Sequence, residues 1–74
     1  MEPKIIERGN VTLRVYAQEL QGGIWRGQVG VTQHHGSSVA DSVVPMRETD
    51  PTYEDAMRRA RNWANAEHPP EGKS

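Results

Sequence analysis

Residues 49–68, TDPTYEDAMRRARNWANAEH, decide the fold of this chain. Helical spacing gathers seven of them on one stripe: Tyr53, Ala56, Met57, Ala60, Trp63, Ala64 and Glu67. All of these except Glu67 are apolar, aromatic or small. The stripe predicts an amphipathic helix that packs against the rest of the chain. Thr52 can cap this helix, with Asp55 reaching back, and Asp50 with Pro51 is the competing start. The helix is therefore expected to begin near residue 51.

The other side of the predicted helix is polar and carries Arg58, Arg59, Arg61, Asn62 and Asn65. Glu54 and Asp55 stand four residues before Arg58 and Arg59, a spacing that favours ion pairs along a helix. These ion pairs would offset the positive charge of the arginines. A solvated face is favoured over a phosphate-binding one.

Two segments before the helix alternate as half-buried strands do, residues 11–18 and residues 24–33. Paired residues of an antiparallel ladder share a face, so the two patterns predict the register. A two-residue turn at Gly22-Gly23 would set Val15 against Gly30 and mix the faces. A three-residue loop aligns the apolar positions, with Leu20 opposite Ile24. It sets Val15 opposite Val29, Leu13 opposite Val31 and Ala17 opposite Gly27.

The remaining segments complete an α+β prediction of three antiparallel strands and one C-terminal helix. Residues 34–38 are interpreted as a loop and residues 39–46 as the third strand, with a bulge as an option. Because Pro45 cannot donate to a ladder, this strand is expected to lie at a sheet edge or to end there. Residues 4–7 are a candidate fourth strand. Gly27, opposite Ala17, is expected to leave a depression that Trp63 or Met57 fills. One domain over residues 1–67 and a flexible tail over residues 68–74 follow.

Composition limits the classes of function. Nine basic and ten acidic residues give a net charge of -1, which favours neither nucleic acid nor an anionic membrane. The absence of cysteine excludes disulfides, thiolate metal sites and a cysteine nucleophile. No segment has the apolar length of a signal peptide or a membrane span, so a cytoplasmic bacterial protein is expected.

Chemistry-bearing residues do not form a recognised constellation. His34 and His35, with His68, could ligate a metal, but no carboxylate cluster completes the set and neighbouring residues rarely converge on one ion. Ser37, Ser38, Asp41 and Ser42 lack a nucleophile elbow. No glycine belongs to a phosphate loop. We therefore expect no enzyme activity, no cofactor and no metal.

The predicted register brings five polar residues together on the outer sheet face: Arg14, Tyr16, Gln18, Arg26 and Gln28. An aromatic ring between cations can stack on a base or anchor a protein contact. A solvated polar face is the competing interpretation. These five residues are the predicted partner-binding site.

The order of strands and helix, with GGIWRGQVGV in the second strand and TYEDAMRRARNWA in the helix, resembles small uncharacterised proteobacterial proteins of the βββα kind. That resemblance implies a fold and no activity. The TYEDA helix start also resembles the N-terminal domain of HicB-type antitoxins, which contacts a toxin. We expect a small interaction module that binds a protein partner or itself, with nucleic-acid binding through the outer face or a HicB-like role as alternatives.

Overall fold

The fold is a four-stranded antiparallel sheet with a helix packed across one face. A computed structural model of the chain describes residues 3–69. The strands follow the order β1-β2-β3-β4, so each pairs with its neighbour in the chain. The elements are β1 (Lys4–Arg8), β2 (Val11–Glu19), β3 (Trp25–His35), β4 (Ser38–Asp50) and α1 (Tyr53–Glu67). The α+β class is confirmed, and the candidate fourth strand is present as β1.

The β2–β3 hairpin has the predicted register. Val15 pairs with Val29 and Leu13 with Val31. The loop closes where the Leu20 amide donates to the Ile24 carbonyl at 2.7 Å. Gly22 and Gly23 adopt φ angles of 88° and 78°, which residues other than glycine rarely adopt.

The β3–β4 hairpin is longer than predicted. The histidines belong to β3 rather than to a loop, because His35 pairs with Ser38 and leaves only residues 36–37 in the turn. Gly36 has a φ of 61°, as the first central residue of a type II′ turn requires. Because the turn is tight, the backbone pairing continues to the ends of both strands. Sequence alternation alone did not reveal this extension.

Strand β4 also continues beyond its predicted end at residue 46, as far as Asp50. Pro45 does not stop it. Of the two predicted alternatives, an edge position or a strand end, the structure has the edge position, where a proline is tolerated. The predicted irregularity is present: Gln28 pairs with Pro45 whereas Arg26 pairs with Thr49. The extra residues let β4 bend and reach the start of the helix.

The core lies between the inner sheet face and an alanine stripe of α1. Its fully buried residues are Leu13, Val15, Val29, Ala56, Ala60 and Ala64. The helix approaches β3 so closely that a Cβ atom added at Gly27 would lie 2.5 Å from the Ala56 carbonyl oxygen. The prediction that Trp63 or Met57 fills the space above Gly27 is therefore wrong. The helix backbone occupies it, because alanine side chains keep the two backbones near each other.

Both ends of α1 have polar partners. Thr52 is the N-cap, and its Oγ1 accepts from the Asp55 amide at 3.1 Å. At the other end, Arg8 of β1 donates to the His68 carbonyl at 3.0 Å and to Asn65 Oδ1 at 3.1 Å. A cation there satisfies orphan acceptors and complements the helix dipole. His68 belongs to the predicted tail, of which residues 70–74 lie outside the described residues.

Arg59 does not have the surroundings that the helix pattern predicted. Its guanidinium donates to both carboxylate oxygens of Asp50, at 2.9 and 3.0 Å, and to Glu48 at 2.6 Å. Asp55 pairs with Arg58 instead, at 3.2 Å. The hydrogen bonds from Arg59 hold the pKa of Asp50 below its ordinary value, although burial of that carboxylate opposes the shift. The interpretation of Arg59 as a solvated residue is wrong, because the bend in β4 brings two carboxylates beneath it.

Candidate functional site

The five predicted site residues lie on the sheet face opposite the helix. Their pairing follows the predicted register, with Tyr16 opposite Gln28 and Gln18 opposite Arg26. The Gln28 side-chain amide donates to Gln18 Oε1 at 2.8 Å. We call this surface, formed by the outward residues of β1 to β4, the outer face.

Arg14 lies flat on the outer face because its neighbour on β3 has no side chain. It pairs with Gly30, where an added Cβ would lie 2.8 Å from Arg14 Nη2. The guanidinium passes over Gly30 and donates to Thr32 Oγ1 at 3.3 Å, and Thr32 donates in turn to Asp41 at 2.6 Å. Sequence reasoning missed this chain of hydrogen bonds. The one feature of the sequence that could have indicated it was the glycine at the position opposite an arginine.

Apolar side chains are more prominent on the outer face than the sequence suggested. Ile5 and Val43 are about half exposed, at 51% and 52%, and Val39 is 57% exposed. The ladder aligns Ile5, Arg14, Gly30 and Val43 in one row across all four strands. Three strand spacings make this row roughly 14 Å long. Ile5 was missed as a residue of this face because β1 was only a candidate strand. For β4, the shared parity of Val39 and Val43 was the signal that their side chains lie on one face.

A second row lies beside the first, with Tyr16, Gln28 and Pro45 on successive strands. The Tyr16 ring is partly exposed, and Pro45 is exposed. The two rows are about 7 Å apart along the strands. Together they form a shallow surface in which apolar groups alternate with arginine and glutamine.

Arg26 is the least satisfied polar side chain of this surface. Its Nε atom is covered from water and has no hydrogen-bond partner among residues 3–69. A covered donor without an acceptor costs stability in the free protein. An acceptor brought by a partner could remove that cost if the side chain turned toward it.

The other candidate residues do not converge. His34 and His35 are exposed at the far end of β3, and His35 Nε2 lies 3.3 Å from Gln33 Oε1. Ser42 and Asp41 are consecutive on β4, so their side chains face opposite sides of the sheet. Within residues 3–69, no three His, Asp or Glu side chains are grouped so that they could hold a metal ion.

The helix also bears on a possible membrane association. Across the part of the chain that the structure describes, no helix has the length and apolar character needed to cross a membrane.

Comparisons of the chain with protein-family models, with curated proteins and with solved structures found no match. The resemblance to βββα proteins and to the HicB N-terminal domain therefore stays a prediction.

Proposed function

We propose that this protein is a small non-enzymatic interaction module that binds a protein partner through its outer face. The main support is the row from Ile5 to Val43, in which two aliphatic side chains are about half exposed on the outer face. Beside it, Tyr16 offers an amphipathic ring of the kind enriched at protein interfaces.

The chemistry of the surface favours protein over nucleic acid. Arg14 is already engaged with Thr32, which is bonded to the Asp41 carboxylate, so part of the positive charge is internally compensated. The Arg26 Nε–H has no acceptor among residues 3–69, so the Arg26 guanidinium can donate to a carboxylate of a partner. The expected partner therefore presents apolar side chains flanked by an acidic residue.

The test is a parallel affinity capture from native cells with three baits: the parent chain, Tyr16→Ser and Arg61→Ser. Arg61 is exposed on the helix, on the other side of the molecule, and is the matched control. A specific partner should be retained by the parent and by Arg61→Ser and lost from Tyr16→Ser. With the purified partner, Tyr16→Ser should weaken binding by about 1–3 kcal/mol, roughly 5- to 150-fold in Kd. Equal binding to all three baits would contradict a site at Tyr16.

Arg26→Met gives an independent check, because it should weaken binding without lowering stability. Removing the covered Nε should leave the melting temperature unchanged or raise it. Partner binding should weaken.

Salt dependence distinguishes the nucleic-acid alternative. Retention on heparin that falls steeply between about 50 and 200 mM salt, and that requires Arg14 and Arg26, would favour phosphate binding. Binding through apolar contacts should respond little over the same range. A steep response would replace the protein-partner proposal.

A further inference from the structure

Charged groups are unevenly distributed along the outer face. Glu7 and Asp41 lie in one row, on the two edge strands, with Thr12 and Thr32 between them. Arg26 lies six residues from Thr32 along β3, about 20 Å away. One end of the face is therefore acidic and the other end is basic.

The carboxylate available to a partner is that of Glu7. Asp41 already accepts a hydrogen bond from Thr32, whereas Glu7 is exposed and its carboxylate forms no ion pair within residues 3–69. On the same face, two residues before Glu7, Ile5 is 51% exposed. Strand β1 thus presents an apolar side chain flanked by an acidic one, which is the chemistry that the outer face is expected to bind.

We propose that the outer face binds the outer face of a second copy of this chain, with β1 of each copy lying over Tyr16 and Arg26 of the other. This inference rests on the function proposed above and names its partner. The two sheets stack about 10 Å apart, with the helices on the outside. The contact is isologous, as in most homodimers.

The charges determine the direction of the two-fold axis. An axis parallel to the strands keeps each row over itself, so that the acidic row faces the acidic row and Arg26 faces the row of the partner's Arg26. Such like-charge contacts are unfavourable. An axis perpendicular to the strands, between the row of Arg14 and the row of Tyr16, exchanges the rows. It sets the row of Ile5 over the row of Tyr16, and the row of Glu7 over the row of Arg26.

The crossing angle of stacked sheets brings the matching groups together. The line from Tyr16 to Arg26 runs two residues along the strands and one strand across, because Tyr16 pairs with Gln28. This line makes an angle of about 35° with the strands. Aligned sheets cross at about 30° in the same sense, so β1 of the partner follows the line. The partner's Ile5 then lies over Tyr16, and the partner's Glu7 reaches the Arg26 guanidinium.

The rest of the contact is compatible with this arrangement. Val43 of each copy lies beside the partner's Pro45, and both of these side chains are exposed in the single chain. Arg14 lies flat on the face, where the partner's Tyr16 ring can stack on its guanidinium. The face measures about 20 Å by 25 Å, so the two copies bury about 1,000 Å² in total. This area is typical of a weak, reversible dimer.

The test is sedimentation equilibrium from about 1 μM to about 1 mM protein, a range that covers weak homodimers. The parent should shift from the monomer mass of 8.3 kDa toward twice that mass as concentration rises. Glu7→Arg sets two pairs of cations in contact, and Arg26→Glu sets two pairs of carboxylates in contact. Each variant alone should raise the dimer Kd at least about tenfold. An equimolar mixture of the two restores both ion pairs and should dimerise as the parent does.

Matched controls carry the same charge exchanges on the helix side of the molecule. Glu67→Arg and Arg61→Glu are at exposed positions of α1 and should dimerise as the parent does. Circular dichroism melts establish that every variant is folded. Tyr16→Ser, which removes the ring beneath the partner's Ile5, should also weaken the dimer and gives a readout that does not depend on charge.

The possible results separate this inference from the function on which it rests. A parent chain that stays monomeric at about 1 mM, but retains another protein in a Tyr16-dependent way, overturns the second copy and leaves the proposed function standing. A dimer that is insensitive to Tyr16→Ser, or a mixture of Glu7→Arg and Arg26→Glu that stays monomeric, also overturns this inference. No dimer and no Tyr16-dependent capture would overturn both.

Discussion

Replacement of Gly27 by alanine is the sharpest test of how the helix sits on the sheet. The added Cβ would lie 2.5 Å from the Ala56 carbonyl oxygen, 2.9 Å from Ala60 Cβ and 3.3 Å from Met46 Cγ. Because the first neighbour is backbone, no rotamer change relieves the contact. The helix must move away from β3 by close to 1 Å to restore ordinary contact distances of about 3.5 Å.

The cost follows from that displacement. A gap of about 0.5–1 Å forfeits a quarter to a half of the dispersion energy of the atoms it separates, and overpacked cores lose about 1–3 kcal/mol. The helix packs through three fully buried alanines, so we expect the upper part of that range, about 2–3 kcal/mol. A domain of this size has a total stability of about 4–11 kcal/mol. The melting temperature should therefore fall by about 10–20 °C.

The assay is thermal unfolding followed by circular dichroism, with Gly30→Ala as the matched control. Gly30 lies three residues along the same strand on the opposite face, and the atoms nearest its added Cβ belong to the Arg14 guanidinium, at 2.8–3.2 Å. That side chain can move aside, and the reduced entropy of the unfolded chain offsets the lost hydrogen bond to within about 1 kcal/mol. If Gly27→Ala melts as the parent does, or if both variants lose the same stability, the close approach of helix and sheet is refuted.

Three further outcomes are expected. Trp63→Ala should lower the free energy of unfolding in urea by about 2 kcal/mol, less than for a fully buried indole because the ring is only partly buried; no measurable change would contradict its place in the core. Arg59→Met should lower the melting temperature near neutral pH, and the deficit should shrink as the pH falls below about 4, because the lowered pKa of Asp50 contributes stability only while that carboxylate is ionised. A deficit in melting temperature of the same size at about pH 2 would indicate that the loss of stability comes from packing. Replacing His34 and His35 together by serine should leave the melting temperature unchanged with or without a chelator, since both are exposed; unfolding on chelation would reveal a structural metal.

Local patterns were sufficient for the elements whose partners are close in sequence. Alternation in β2 and β3 predicted the pairing of Val15 with Val29, because a one-residue slip would exchange the two faces of a strand. Thr52 and the stripe that follows it predicted the helix start and its buried side, since capping and helical periodicity are properties of one short segment. The grouping of Arg14, Tyr16 and Gln28 on one face followed from the same register.

Tertiary structure decided what depends on where separate segments meet. The sequence alone could not show that the helix backbone, rather than Trp63, lies above Gly27. This depends on how closely the three buried alanines allow the helix to approach the sheet. The pairing of Arg59 with Asp50 required β4 to bend past Pro45, and helical spacing within α1 gave no sign of it. The open side of β4 is likewise a property of strand order: local alternation describes a strand and its faces, whereas only the assembled sheet determines which strands lack a neighbour among residues 3–69.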